Sequence, residues 1–472
     1  MNVFAHRSTW RYFSAWIILF GALVVGILSV AKLSLSTVLL ALISLVIIIP
    51  MAHRNNKRQL DLFEPIVTAN FALGVMFVAR PLSILITGQV IHIGYNVMPT
   101  FNKALGLALL AIVSLQIGYY GRLGPRLSHR IPKPPLFKVN KASMVAWFYV
   151  LLGCILFGTF LSTQDGFSTL VKLLRGRGAA DDNILFLSTT AYLYQGILLW
   201  AVSALIFFAI SLYTGKRRYI LLSVLLSLLL IIYYGSRGAR SQLLPLFIGL
   251  PLFWYLWHGR KPQLFRLILV LMVSFSLLGW QREIRNEDAE ARRAPLRSLL
   301  KSVASPWTEA LDILTSADTE MFDTLTNFLL VVPGEISFRP GTIIRDVFIR
   351  AVPRTFWHNK PGEGGAEAYD TLWPGRRGAS RMGASSSLVG YLYFDMGPFT
   401  VAVGMIVLGI ALSMIWHWFL LYPNSVVAQL IYAMVPSFTI ILLRGNIPDT
   451  LGRALFLVTP LFVLSLFLRI RR

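Results

Sequence analysis

Cysteine is almost missing from this chain: Cys154 is the only one in 472 residues. A single thiol excludes an intrachain disulfide framework and a cysteine-based zinc site, and its place in an apolar run points to packing. Acidic residues are also scarce, 21 Asp and Glu against 44 Lys and Arg. There is no phosphate loop for a nucleotide. No internal repeat and no low-complexity tract is evident, which disfavours a transporter built from symmetric halves.

What is present is apolar. The sequence is 56% hydrophobic with a mean hydropathy of +0.66, a composition of polytopic membrane proteins. Apolar runs of about 16 to 28 residues, enough to cross a ~30 Å hydrocarbon layer, recur along its length. They predict an all-α bundle of about twelve transmembrane helices. The expected spans are 14–30, 35–50, 66–86, 105–120, 144–161, 185–212, 219–234, 243–257, 264–280, 399–421, 426–443 and 451–468. The first lacks a small-residue cleavage site, so it is expected to be a retained anchor.

Orientation follows from the basic loops, because Lys and Arg near helix ends stay cytoplasmic. Arg7 and Arg11, Arg54 to Arg58, Arg122 to Lys141, Lys216 to Arg218, Arg260 to Arg266 and Arg469 to Arg472 fall on alternate ends of successive helices. Both termini are therefore expected in the cytoplasm. The net charge of +23 is then largely topological, directed at membrane lipids, with no nucleic-acid partner implied.

One long stretch breaks the pattern and is expected outside the cytoplasm. It divides a single membrane domain into 1–280 (nine helices), a large, partly helical external loop at 281–384, and 385–472 (three helices). The loop carries turn chemistry such as Pro333-Gly334 and Pro361-Gly362, and helices such as Leu311 to Leu330 are expected to lie against the membrane face. Its aromatics, Trp307, Phe338, Phe348, Phe356, Trp357, Tyr369 and Trp373, argue for order.

Outside those loop ends and the long stretch, the basic residues are Lys32, Arg80, Lys103, Lys172, Arg175, Arg177, Arg237, Arg240, Arg444 and Arg453, all placed toward the outer face. Arg237, Arg240, Arg444 and Arg453 flank the outer ends of four helices, and Arg282 and Arg285 open the large loop. Guanidinium forks match phosphate oxygens bidentately, so a cluster at the outer boundary suits a lipid-linked pyrophosphate. Singly, each could instead snorkel to headgroups or pair with an acid such as Asp449 or Glu283. The outer segments hold no closely spaced metal-ligand pattern, and Asp181-Asp182 alone makes no metal site; neither metal nor cofactor is expected.

Three stretches carry a resemblance: Gly235-Ser236-Arg237-Gly238, Val352-Pro353-Arg354-Thr355-Phe356-Trp357-His358-Asn359-Lys360-Pro361, and Ser387 to Gly397. They resemble motifs of the O-antigen polymerases, or oligosaccharide repeat-unit polymerases. The likeness covers most of the chain in architecture and these short stretches in motif. Where many members carry a Glu in the third stretch, this chain has Tyr391, so an acid role does not carry over there.

The resemblance implies an integral-membrane glycosyltransferase of the bacterial inner membrane. It would join polyprenyl-pyrophosphate-linked oligosaccharide units, donor and acceptor both, on the periplasmic face, with a chain-length regulator as a further partner. Read from the residues, Arg237, Arg240, Arg444 and Arg453, with Arg282 as a weaker member, would stabilise the pyrophosphate leaving group. A general base for the acceptor hydroxyl would come from His358, Glu363, Asp395 or Asp449. A ligase acting on the same donor remains an alternative. A flippase is disfavoured because mid-helix ionisable groups are nearly absent, Arg80 being the main one and near enough to an end to snorkel. The first external loop, Ala31 to Ser36, has no acid, which disfavours polyprenyl-monophosphate sugar transferases.

Overall fold

A computed structural model describes residues 34–56, 61–164, 166–174, 191–236, 240–260, 320–352, 357, 366–373, 387–445 and 447–470. It is an all-α, multi-pass bundle, with one two-stranded hairpin among the described residues, Ile91–His92 (β1) and Tyr95–Asn96 (β2). Among the described residues nine helices are long and apolar enough to cross a membrane, and Ser241–Trp257 is a shorter apolar one. These follow the expected spans; those at 14–30 and 264–280 lie outside the described residues.

The principal helices are α1 (Leu35–Asn56), α2 (Pro65–Gly74), α3 (Arg80–Thr87), α4 (Phe101–Tyr120), α5 (Val139–Ser162), α6 (Leu199–Thr214), α7 (Arg217–Ser236), α8 (Arg240–Trp257), α9 (Met321–Val331), α10 (Thr342–Ala351), α11 (Ser387–Met396), α12 (Pro398–Leu421), α13 (Val426–Arg444), α14 (Ile447–Leu457) and α15 (Thr459–Arg469). Between α2 and α3 the span continues as a π turn, Val75–Ala79. Pro81 explains it: the residue has no N–H to give and its ring crowds the Phe77 carbonyl, so the backbone widens there. Pro460 likewise divides the last span at Val458.

Two apolar cores fill the bundle. One gathers α1 to α4, α9, α11 and α12; the other gathers α5, α6, α7 and the α14–α15 pair. Helices α8 and α13 belong to both: α8 gives Leu252 and Leu256 to the first and Leu243, Leu246 and Phe253 to the second, and α13 gives Tyr432 and Leu443 to the first and Leu430, Ala433 and Met434 to the second. The tightest crossing is α4 on α12. A Cβ on Gly118 would overlap the Ile406 carbonyl, and one on Gly409 would overlap the Leu115 carbonyl. Small residues let membrane helices approach backbone to backbone.

At one end of the bundle lie basic segments: Trp418 Nε1 donates to the Pro132 carbonyl, and Arg469 Nη2 to that of Lys133 at 2.7 Å. The helices of the long interruption pack at the other, here the loop end. Helix α9 differs from expectation there. Phe322, Leu325, Phe328 and Leu329 are buried, but so are Asp323, Thr324, Thr326 and Asn327 on its other faces. It is an internal helix packed on α4 and α11, not one lying on a membrane face; Leu311 and Leu314 lie outside the described residues. Phe322 meets Phe77 and Phe101 edge to face at 6.5 and 4.9 Å.

Two further expectations are corrected. Arg80 does not snorkel: it is 5% exposed and forms two hydrogen bonds to Asp323, Nε to Oδ2 at 2.8 Å and Nη2 to Oδ1 at 2.9 Å. Cys154 is exposed on α5, so it contributes nothing to core packing.

Candidate functional site

Three helix ends converge at the loop end. Helix α13 finishes at Arg444, the chain turns through Gly445, and α14 begins at Ile447 with Arg453 on its second turn. Helix α8 begins at Arg240, and the next residue, Ser241, accepts a hydrogen bond from Arg453 Nη1 at 2.7 Å. Thus Arg453 and the start of α8, more than two hundred residues apart in sequence, share one place, and Arg444 is half-buried at the C-terminal end of α13, which leads into α14. Arg237 lies three residues before Arg240, outside the described residues, as does Arg282; of Arg240 only the backbone is described.

Amide and phenol groups surround this convergence. The residues 195–198, a short 3-10 turn, pack against α14. Gln195 Oε1 and Gln242 Oε1 are buried and have no hydrogen-bond partner among the described residues. Tyr194 and Tyr233 approach at 6.2 Å between ring centres, and Tyr233 and Tyr234 at 5.0 Å. Cations beside buried acceptors can receive an anionic group that also carries hydroxyls.

The base candidates separate. Asp395 is 4% exposed and Oδ1 accepts the Thr342 backbone N–H at 3.0 Å, capping the start of α10. Four residues away on each helix, the Tyr391 hydroxyl donates to Asp346 Oδ2 at 3.3 Å. Residues 342 with 395 and 346 with 391 thus form two rungs between α10 and α11. Burial first, then the Asp346 and Asp395 carboxylates, push the Tyr391 hydroxyl above its ordinary range, so it remains a donor. Asp346, which Arg345 also grips at 3.0 Å, is a buried partner that sequence reading missed.

Asp449 is in the first turn of α14, four residues before Arg453, so the two positions share a helix face; its side chain is outside the described residues, and His358 and Glu363 lie wholly outside them. Of the tryptophans in the long segment, Trp373 is 6% exposed, donates to the Ile93 carbonyl at 3.1 Å and stacks on Tyr369, a packing role, while Trp357 is exposed and Trp307 lies outside the described residues.

A second buried polar cluster closes the opposite end. Glu64, fully buried, pairs with Arg54 and accepts from the Tyr119 hydroxyl at 2.6 Å, and Gln116 Nε2 donates to Asn70 Oδ1 at 2.7 Å deeper in the bundle. Phe77 and Phe101 both pack on Phe322, the sequence neighbour of Asp323, which pairs with Arg80. Among the described residues no group of three or more His, Cys, Asp or Glu could hold a metal ion. Compared with family models, curated proteins and solved structures, the chain matches none.

Proposed function

We propose that this multi-pass membrane protein is a glycosyltransferase of the bacterial inner membrane. It would polymerise polyprenyl-pyrophosphate-linked oligosaccharide repeat units into a surface polysaccharide on the periplasmic side. The observation that carries the reading is the meeting of Arg444, Arg453 and the Arg240-Ser241 step at the end of the bundle away from the basic loops. Positive charge there has no topological explanation, and a pyrophosphate supplies one.

In this reading an acceptor sugar hydroxyl attacks the anomeric carbon of the donor. The carbon–oxygen bond to the pyrophosphate breaks, and its electron pair leaves on the pyrophosphate oxygen. Fixed guanidinium groups stabilise that charge in a water-poor site. The hydroxyl proton passes to a base, for which Asp449, on the Arg453 face of α14, has the best position. Asp395 instead holds α10 in place.

Cells lacking the protein test this, compared with cells carrying it on a plasmid, by electrophoresis of their surface polysaccharide. The expected result is a ladder collapsed to core plus one repeat unit. Loss of even that single unit would refute polymerisation and indicate ligation or flipping.

A further inference from the structure

Helix α10 has two unlike faces. Thr342, Asp346 and Ile349 are buried against the bundle, while Ile344 and Phe348, one turn apart, are 66% and 71% exposed, and Val352 continues the line just past the helix. A helix with an outward apolar stripe, beside the exposed Arg345, has the pattern of one lying in a membrane interface.

We propose that α10 is a monotopic anchor whose Ile344–Phe348 face is immersed in the bilayer leaflet at the loop end. The occupant follows from continuity. Helix α10 packs on α14, and α14 exposes Leu451 and Leu455, apolar positions of the last membrane span. That surface continues down the span through Phe462 and Leu466, both exposed. Lipid that covers Leu451 and Leu455 therefore reaches α10 without crossing a polar boundary. The two rungs to α11, Asp395 with Thr342 and Asp346 with Tyr391, fix the rotation of α10 so that the stripe faces away from the protein. Arg345 beside the stripe suits anionic or zwitterionic headgroups at the rim.

The experiment uses the full chain with Cys154→Ser and either Phe348→Cys or Ile344→Cys, labelled with an environment-sensitive fluorophore and reconstituted in phospholipid nanodiscs. Two positions guard against a variant that does not fold. Quenching by lipids spin-labelled near the top of the acyl chain should exceed quenching by aqueous iodide by at least about threefold, reversing for a label at Glu335→Cys in the exposed turn after α9. Strong iodide quenching with no lipid quenching at both positions would overturn the proposal. So would protection from both quenchers, since a second protein surface would then cover the stripe. The result is independent of whether the chain polymerises sugar.

Discussion

Arg80 and Asp323 meet fork to fork, 243 residues apart in sequence and both at least nine-tenths buried, tying a membrane span to the internal helix α9. Removing one partner strands the other charge, which costs about 3–5 kcal/mol, whereas replacing both with apolar residues of similar size is often close to neutral. Asp323→Ala should therefore lower the thermal midpoint of the purified protein sharply, and Arg80→Met with Asp323→Leu should recover most of the loss. Equal damage from the single and double variants would mean that the pair contributes specific structure beyond charge balance.

Arg453→Ala should stop chain extension while leaving the protein inserted, and Arg453→Lys should restore it poorly because the planar fork is lost. Arg444→Ala should behave alike. Normal polysaccharide length in either alanine variant, at equal protein level, rules out the pyrophosphate role.

A milder outcome is expected for Ser241→Ala. It removes one acceptor for Arg453 without removing charge, so turnover should fall while substrate selection holds. Loss of a hydrogen bond to a charged group is worth about 1.5–3 kcal/mol, roughly a tenfold or greater decrease in rate. Single-turnover kinetics in nanodiscs would measure it.

Gly118→Val should abolish folded protein, because the new side chain meets the Ile406 backbone and no rotamer change relieves it. Overpacking alone costs about 1–3 kcal/mol, and here a whole helix must shift. Gly106→Val on the same helix has open space around it and should be tolerated in the fluorescence size-exclusion profile.

His92 supplies a pH prediction. Its ring is 4% exposed, with Nδ1 3.7 Å from Glu320 and Nε2 3.5 Å from Thr324. Burial lowers its affinity for a proton, Asp323 acts against that, and Arg80 adds to it; the net direction is downward from 6.5. The folded state then binds fewer protons than the unfolded one. Stability from this group is present above about 6.5 and falls as pH drops below that value toward the folded pKa. Acid should loosen the Ile91–Asn96 hairpin from α9, and His92→Gln should flatten that dependence, as amide exchange of 91–96 between pH 7 and pH 5 would report.

The helices were legible because membrane spans are written as long apolar runs, and Leu35–Asn56 or Pro398–Leu421 need nothing else to be placed. Helix α9 was misplaced for a physical reason. An apolar stripe such as Phe322, Leu325 and Leu329 looks the same whether lipid or protein covers it, and the difference lies on the polar face. There the Asp323 carboxylate finds Arg80 and the Asn327 amide the His92 carbonyl, while the Thr326 carbonyl accepts from Thr100, at sequence distances of more than two hundred residues that leave no local signal. The converse holds for α10: its apolar residues are interleaved with Arg345, Asp346 and Arg350, so Phe348 reads in sequence as a sign of order and not as part of an outward Ile344–Phe348 stripe. Arg444 and Arg453 were visible by charge alone, whereas Ser241 was not, since a serine beside an arginine is commonplace.

Because α13 supplies side chains to both cores, assembly has an order in time. The ribosome releases α1 to α8 long before Val426, so early spans can enter the bilayer but neither half can close its interior. Until α13 emerges and its Tyr432 reaches the Phe63 carbonyl, Glu64, Arg54 and Asn70 sit in a half-built groove that a truncated chain would leave open to lipid. A nonsense mutation anywhere before α13 should therefore yield a protein recognised and degraded by membrane quality control, and two separately expressed halves should reassemble only when the second carries that helix.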